Sequence, residues 1–304
     1  MLISSNTANL LLDVQKAEKY CPYFALAGIT ALDYNFDDLF CSTDIHKHKR
    51  SEIFDLPENE LKEYFLQIKS AADKNGLVFG QTHAPFPSQL IDCPKEYNDY
   101  LLEVIKKSIE ITSLFDCKYI VIHPVFGRYD NPLSKEQEHK INIDFYSSLI
   151  PTLKKCGVTA CLENMWVSNK GKIYGAVCSD FYEVNQYIKE LNDIAGDELF
   201  GFCYDCGHAT LVGADHERAI KLLGNNIKVV HLHDVDGVHD SHTFPFLGVT
   251  DWKRVMSSLA SIGYKGTLNF EAYQGWCCYP ESVYASALAV LGQIGKNFAE
   301  EYFN

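Results

Sequence analysis

Residues 158–163, Val-Thr-Ala-Cys-Leu-Glu, form an apolar run that stops on a carboxylate. The same figure returns along the chain. Leu77 to His83, Lys118 to His123, Leu199 to Asp205, Ile227 to His231 and Gly266 to Glu271 are strand-like runs that end on a histidine or an acid. Near-continuous apolar runs of this length suit strands buried on both faces, as in a parallel sheet. One polar ending means little. Repeated at intervals of roughly forty residues, it predicts parallel strands that deliver polar groups to one rim of a barrel.

Helical stretches fall between these runs. Spacing and stop signals place helices over 9–20, 57–75, 96–115, 135–156, 179–194, 215–223, 251–262 and 281–298, with Gly76, Gly157 and Gly224 as stops. Leu2 to Ser4 and Tyr23 to Leu32 read as the first two strands. Eight strand–helix units predict an α/β fold closed as a single (β/α)8 barrel, in preference to an open sheet. No linker or composition shift divides the chain, so one barrel domain is expected over residues 1–304. The longest irregular stretches follow strands two, five and seven, on the rim where barrel enzymes build their sites.

The 304 residues are 47% hydrophobic, enough for one large core or for two smaller ones. A net charge of −13 gives no general attraction to nucleic acid or to an anionic membrane. No apolar run reaches the roughly 18 residues of a membrane span. The start, Met1 to Asn6, lacks the basic-then-apolar order of a signal peptide. The 11 cysteines sit mostly inside apolar runs, which reads as free thiols in a reducing compartment. A cytoplasmic protein is expected. Cys203 and Cys206 have dithiol spacing, but they flank Asp205 on a strand and read as structural. Cys277-Cys278 carries no reading.

Glu163, Asp205, His231 and Glu271 come from strands five, six, seven and eight of the predicted barrel and can converge near its axis. Two glutamates, an aspartate and an imidazole make a hard oxygen–nitrogen donor set that suits Mn, Co, Zn or Mg. Bare, three acids packed this closely would raise each other's pKa, and a divalent cation removes that penalty. The bland alternative is that each acid caps a helix or pairs with a lysine; four converging together argue against it. His83, His123, His208, His233, Asp240 and His242 lie at or just beyond strand ends. They are candidates for further metal or for substrate hydroxyls. The basic run His46 to Arg50 reads as a solvated loop, with Arg128, Lys170 and Lys172 as rival phosphate contacts.

Several short segments carry a family likeness: Thr82-His83-Ala84-Pro85, Ile122-His123-Pro124, Leu162-Glu163-Asn164, Asp205-Cys206-Gly207-His208, His231-Leu232-His233-Asp234, Asp240-Ser241-His242, Pro245 with Gly248 and Trp252, and Asn269-Phe270-Glu271. In this order they resemble the xylose isomerase-like barrel superfamily. That group includes sugar and sugar-phosphate isomerases and epimerases, inosose-processing enzymes and endonuclease IV-type repair enzymes. The resemblance implies that Glu163, Asp205, His231 and Glu271 hold a divalent metal, and that Glu163 and Glu271 double as an acid/base pair. It implies a small-molecule sugar, cyclitol or sugar phosphate as substrate, and a homo-oligomer. Proton transfer next to a carbonyl, through a metal-stabilised enediolate, is the expected chemistry.

The endonuclease-like branch uses a trinuclear zinc set. It would map onto His83, His123, Glu163, Asp205, His208, His231, Asp240, His242 and Glu271, all of which are present. An endonuclease IV-like zinc phosphodiesterase acting on abasic DNA is therefore the alternative, although the acidic balance weighs against nucleic acid. A barrel that kept the ligands and lost turnover is a third reading. Phe86, Phe126, Trp166 and Trp276 follow strand ends closely and are expected to stack on sugar C–H faces. Two departures stand out. Phe246 occupies a glycine position of the family's Pro-Gly-x-Gly turn, and no arginine follows His231 soon, where ketose epimerases carry one.

Overall fold

Eight parallel strands run round a nearly closed barrel, with helices between them, in the computed structural model, which describes residues 1–127 and 130–303. The strands are β1 (Ile3–Asn6), β2 (Ala31–Asn35), β3 (Val78–His83), β4 (Tyr119–Val121), β5 (Thr159–Glu163), β8 (Phe200–Asp205), β9 (Ile227–His231) and β10 (Leu268–Phe270). Between β5 and β8 lies an antiparallel hairpin, β6 (Trp166–Asn169) and β7 (Lys172–Gly175). Neighbours round the sheet run β10-β1-β2-β3-β4-β5-β8-β9. The seam between β9 and β10 is closed by Leu232, whose N–H donates to the Asn269 carbonyl at 2.9 Å.

The helices form where the sequence supplies their ends. Helix Lys135–Cys156 starts on a capping box between Ser134 and Gln137 and stops at Gly157, with φ 65°. Phe145, Tyr146, Leu149 and Leu153 recur at helical spacing and are its buried face. Helix Phe181–Ala195 starts on Asp180 and ends at Gly196 in the same way. No helix among the described residues is long and apolar enough to cross a membrane. The eleven cysteines are all free.

Tyr23 to Leu32 is not a strand. Tyr23 lies in helix Val14–Leu26, whose buried Ala17, Tyr20, Cys21 and Phe24 keep the helical period. Gly28 then turns the chain with φ 78°, and β2 begins only at Ala31. One apolar run thus crosses a helix end, a turn and a strand. Similarly, the stretch after β5 is a hairpin where an irregular loop was expected.

Strand periodicity stacks the barrel interior in two layers, because residues two apart share a face. Val121, Cys161, Cys203 and Val229 pack together as an apolar half-floor. Two residues on come His123, Glu163, Asp205 and His231. The other half-floor is polar, with Asp33, Gln81 and Asn269 fully buried. Two residues on from these come Asn35, His83 and Glu271.

The last helix, Tyr284–Tyr302, closes the outer ring against the end of helix Val14–Leu26. Gly292 makes this approach possible, since a Cβ there would lie 1.9 Å from the Ala27 carbonyl oxygen. Gly292→Ala is expected to lose about 1–3 kcal/mol of stability in urea unfolding; an unchanged midpoint would contradict this packing.

Candidate metal centre

The four strand-end donors meet. His231 Nδ1 lies 3.1 Å from Glu163 Oε1, 3.2 Å from Glu271 Oε2 and 3.7 Å from Asp205 Oδ2. One donor atom from each of the four falls within 4.8 Å of the others. Glu163 also belongs to a second group. Its Oε2 is 2.9 Å from His123 Nε2 and 3.9 Å from His83 Nε2. Those two imidazole nitrogens are 3.1 Å apart. Cys203 joins Glu163 and His231 in a further group, and the last is His208, His233, Asp240 and His242, where Asp240 Oδ2 is 3.1 Å from His208 Nε2 and 3.2 Å from His242 Nε2.

Main-chain carbonyls orient the rings. His83 Nδ1 faces the Ala84 carbonyl at 2.9 Å, His208 Nδ1 faces that of Asn164 at 2.8 Å, and His242 Nδ1 faces that of Glu271 at 2.9 Å. With Nδ1–H spent on a carbonyl, each ring presents the Nε2 lone pair to its group. Metal-binding histidines are commonly oriented this way. Asp205 also caps helix Cys206–Leu211 by accepting the His208 N–H at 2.6 Å. The capping role and the site role therefore coexist in one side chain.

Burial and charge oppose each other throughout. Burial disfavours the charge on Glu163, but His231 and His123 outweigh it and hold the carboxyl well below its ordinary value. Asp205 is held low in the same way by His208 and His233. Burial works against a proton on His231, yet Cys203, Glu271 and Glu163 hold that imidazole well above its usual range. His83 goes the other way, pushed well down by burial and then by His123. The imidazoles thus favour the charged form of these acids. A divalent cation fits the same donor set better, because it can face several carboxylates at once. Asp240 Oδ1, buried with no hydrogen-bond partner, is consistent with that fit.

A cavity of about 640 Å³ opens over the site. Glu163 and Glu271 line it, as do His83, His123, His208, Asp240 and His242; Asp205, His231 and His233 lie below its wall. Phe86, Phe126 and Trp166 form its aromatic side. Trp276 does not reach it: the short helix Gln274–Cys277 turns the indole into the core against Tyr284, with ring centres 5.4 Å apart. His233 Nε2 sits 3.0 and 2.9 Å from the two Asp205 oxygens and braces that carboxylate. It fits only because residue 207 is glycine, since a Cβ there would lie 2.0 Å from His233 Cε1.

Lys170, at the hairpin tip, lines the cavity, Lys172 does not, and Arg128 lies outside the described residues. Lys49 and Arg50 pair at 2.7 Å with Asp44 and Asp55, as a solvated loop does. Phe246 adopts φ 75°, the conformation a glycine would take in that turn. Its N–H donates to Asp234 Oδ2 at 2.9 Å, and the Trp252 indole N–H donates to the same oxygen at 2.9 Å.

Sequence reasoning missed Asn35, Asp37, Met165 and Tyr273, which also line the cavity. Asp37 accepts the Phe86 N–H at 3.0 Å, and burial pushes its carboxyl up to about 6. Asn35 ends β2 and Asp37 follows it, but the apolar run Tyr23 to Leu32 puts the strand end too early for spacing to reveal them. Asn164 follows Glu163 and carries no signal of its own in the sequence. Its side chain exchanges two hydrogen bonds with the Asp205 main chain, both 2.9 Å, and so locks β5 to β8 beside the site.

A family model described as a xylose isomerase-like TIM barrel matches residues 33–294. An uncharacterized protein of Sinorhizobium fredii is 32% identical over 189 residues, covering 60% of this chain and 56% of its own length. The inosose dehydratase of Clostridium tetani is 26% identical over 196 residues, covering 59% of this chain and 61% of that protein. The chain thus spans only 56% and 61% of the length of these two relatives. A solved D-tagatose 3-epimerase-like protein superposes with a TM-score of 0.71 at 18% identity, covering 99% of this chain and 97% of that one. At that identity the likeness is one of fold.

The electrostatics make a pH prediction. Burial disfavours charge on His242, but Asp240 outweighs it and lifts the imidazole from 6.5 to about 9. A raised histidine contributes stability that is complete below its unfolded pKa and lost as pH rises through the folded one. Chelator-treated protein is therefore expected to melt at falling temperatures between pH 6.5 and 9. A melting temperature that is constant or rises over that window would contradict the pairing.

Proposed function

The chain belongs to the xylose isomerase-like TIM barrel family, and from that membership we propose that it is a divalent-metal-dependent sugar or sugar-phosphate isomerase/epimerase. The observation that carries the reading is the placement of two glutamates. Glu163 and Glu271 belong to the four-donor group and also line the cavity, whereas Asp205 and His231 lie beneath it. Such carboxylates can hold a cation and still touch substrate. The D-tagatose 3-epimerase-like protein, named for a ketose, and the inosose dehydratase, named for a keto-cyclitol, support this reading.

Phe86 and Trp166 would cover the apolar face of a sugar, with His83, His123, His208 and His242 within reach of its hydroxyls. One glutamate takes the proton next to the carbonyl and the other returns it. Return of a proton to the opposite face of the same carbon gives epimerisation; return to the neighbouring carbon, with the hydroxyl proton passed from one oxygen to the other, gives isomerisation. Glu163, Asp205, His231 and Glu271 would hold a divalent ion, which would supply Lewis-acid stabilisation of the negative charge developing on the carbonyl oxygen. The proposal takes residues 1–304 as one barrel domain. It also places the protein in the cytoplasm, supported by its eleven free cysteines.

A second reading has its own observation. Three of the four overlapping donor groups share Glu163, and the fourth, His208, His233, Asp240 and His242, lies beside it, with His208 Nδ1 3.5 Å from Glu163 Oε1. This is what a trinuclear phosphodiesterase of the endonuclease IV type would need. Metal analysis separates the readings: about one ion per chain favours the epimerase and about three zinc ions favour the phosphodiesterase. Nicking of an abasic oligonucleotide tests the second directly.

For the first, ketoses, inososes and their phosphates are incubated in heavy water with metal-loaded protein. Exchange at the carbon next to the carbonyl is expected with at least one of them. Glu163→Gln and Glu271→Gln should each cut that exchange about 10²–10⁴-fold. Exchange at near-wild-type rates in both variants would overturn the assignment.

A further inference from the structure

His231 is turned differently from its neighbours. His83, His208 and His242 spend Nδ1 on a main-chain carbonyl and present Nε2 to their groups. His231 presents Nδ1 to Glu163, Asp205 and Glu271. Its Nε2 is buried, points away from these acids and has no hydrogen-bond partner. The acid on that side is Asp33, with Oδ2 3.7 Å from Nε2.

Asp33 is itself fully buried, and nothing in the chemistry above uses it. Three carboxamides from three different strands aim their N–H groups at its Oδ2: Asn269 at 2.9 Å, Gln81 at 3.3 Å and Asn6 at 3.4 Å. They do so at a cost, because the Gln81 and Asn269 amide oxygens are left buried without partners. Asp33 Oδ1 has no partner either. Half of the barrel floor could have been apolar like the half built from Val121, Cys161, Cys203 and Val229. A polar floor is expensive unless the carboxylate it holds has something to do.

We propose that Asp33 is a positioning residue: its charge, 3.7 Å from Nε2, holds the ring proton of His231 on that nitrogen, fixes the tautomer and leaves the Nδ1 lone pair free for a divalent cation. A neutral imidazole carries one ring proton, so the nitrogen that holds it decides which nitrogen can bind metal. Three carboxylates compete for that proton on the Nδ1 side. Asp33 is the counterweight on the Nε2 side, and the carboxamides hold it in place. The inference rests on the metal-site reading above.

The test uses Mn²⁺ alone, with no sugar present. Calorimetric titration of cation-free wild-type protein is compared with Asp33→Asn, whose melting temperature is checked for an intact fold. The variant is expected to bind Mn²⁺ about 10–100-fold more weakly. Equal affinity in the two proteins overturns this inference and leaves the metal site standing. A wild-type protein that binds no Mn²⁺ overturns both.

A second measurement does not depend on the variant folding. In zinc-loaded wild-type protein with ¹⁵N-labelled histidine, the ring proton of His231 is expected on Nε2, in slow exchange with solvent. A proton on Nδ1, or an Nε2–H that exchanges freely, overturns the inference.

Discussion

Acid packed against acid, out of water, is the constraint from which the rest of this structure follows. Glu163, Asp205 and Glu271 converge on one imidazole nitrogen within 3.7 Å, and Asp33 approaches the same ring from below. Desolvation and like-charge repulsion both oppose such a cluster. Imidazole protons and hydrogen bonds to the carboxylates offset part of that cost. That balance is delicate, and every neighbouring feature serves to hold it. Asn164 ties the Asp205 main chain in place, His233 braces its carboxylate, and carbonyl oxygens set three other rings.

The barrel makes such a cluster buildable. Seven of the eight strands add an inward residue to the floor and carry another, two residues on, to the site, so fold and site share one alternation. Cys161 precedes Glu163, Cys203 precedes Asp205, and Val229 precedes His231. The apolar member anchors the strand in the core, and the polar member two residues on is then carried to the rim. Closure brings residues from distant parts of the chain within a few ångströms of each other. Asn269 and Asp33, 236 residues apart, share a hydrogen bond across the floor.

Much of this was legible from residue order, for a physical reason. A carboxylate or imidazole that ends an apolar strand breaks the pattern sharply, and Glu163, Asp205, His231 and Glu271 each did so. The (β/α)8 closure followed from how often the break recurred. What stayed hidden lay where the pattern blurs. The apolar run Tyr23 to Leu32 concealed a helix end, a turn and the first residues of a strand, so Asp33, Asn35 and Asp37 were never placed on a strand end. Trp276 follows a strand end as Trp166 does, but a short helix turns it inward, and spacing alone does not reveal that turn. Asn164 looked like punctuation because its work is done with the main chain of another strand.

The account stands or falls on one cation among four side chains. Diffraction from Mn²⁺-soaked crystals, recorded at the manganese absorption edge, locates the ion directly. The account predicts an anomalous peak bounded by Glu163, Asp205, His231 and Glu271, on the Nδ1 side of the imidazole. A peak that avoids these four side chains, or no peak in protein crystals saturated with Mn²⁺, would contradict it.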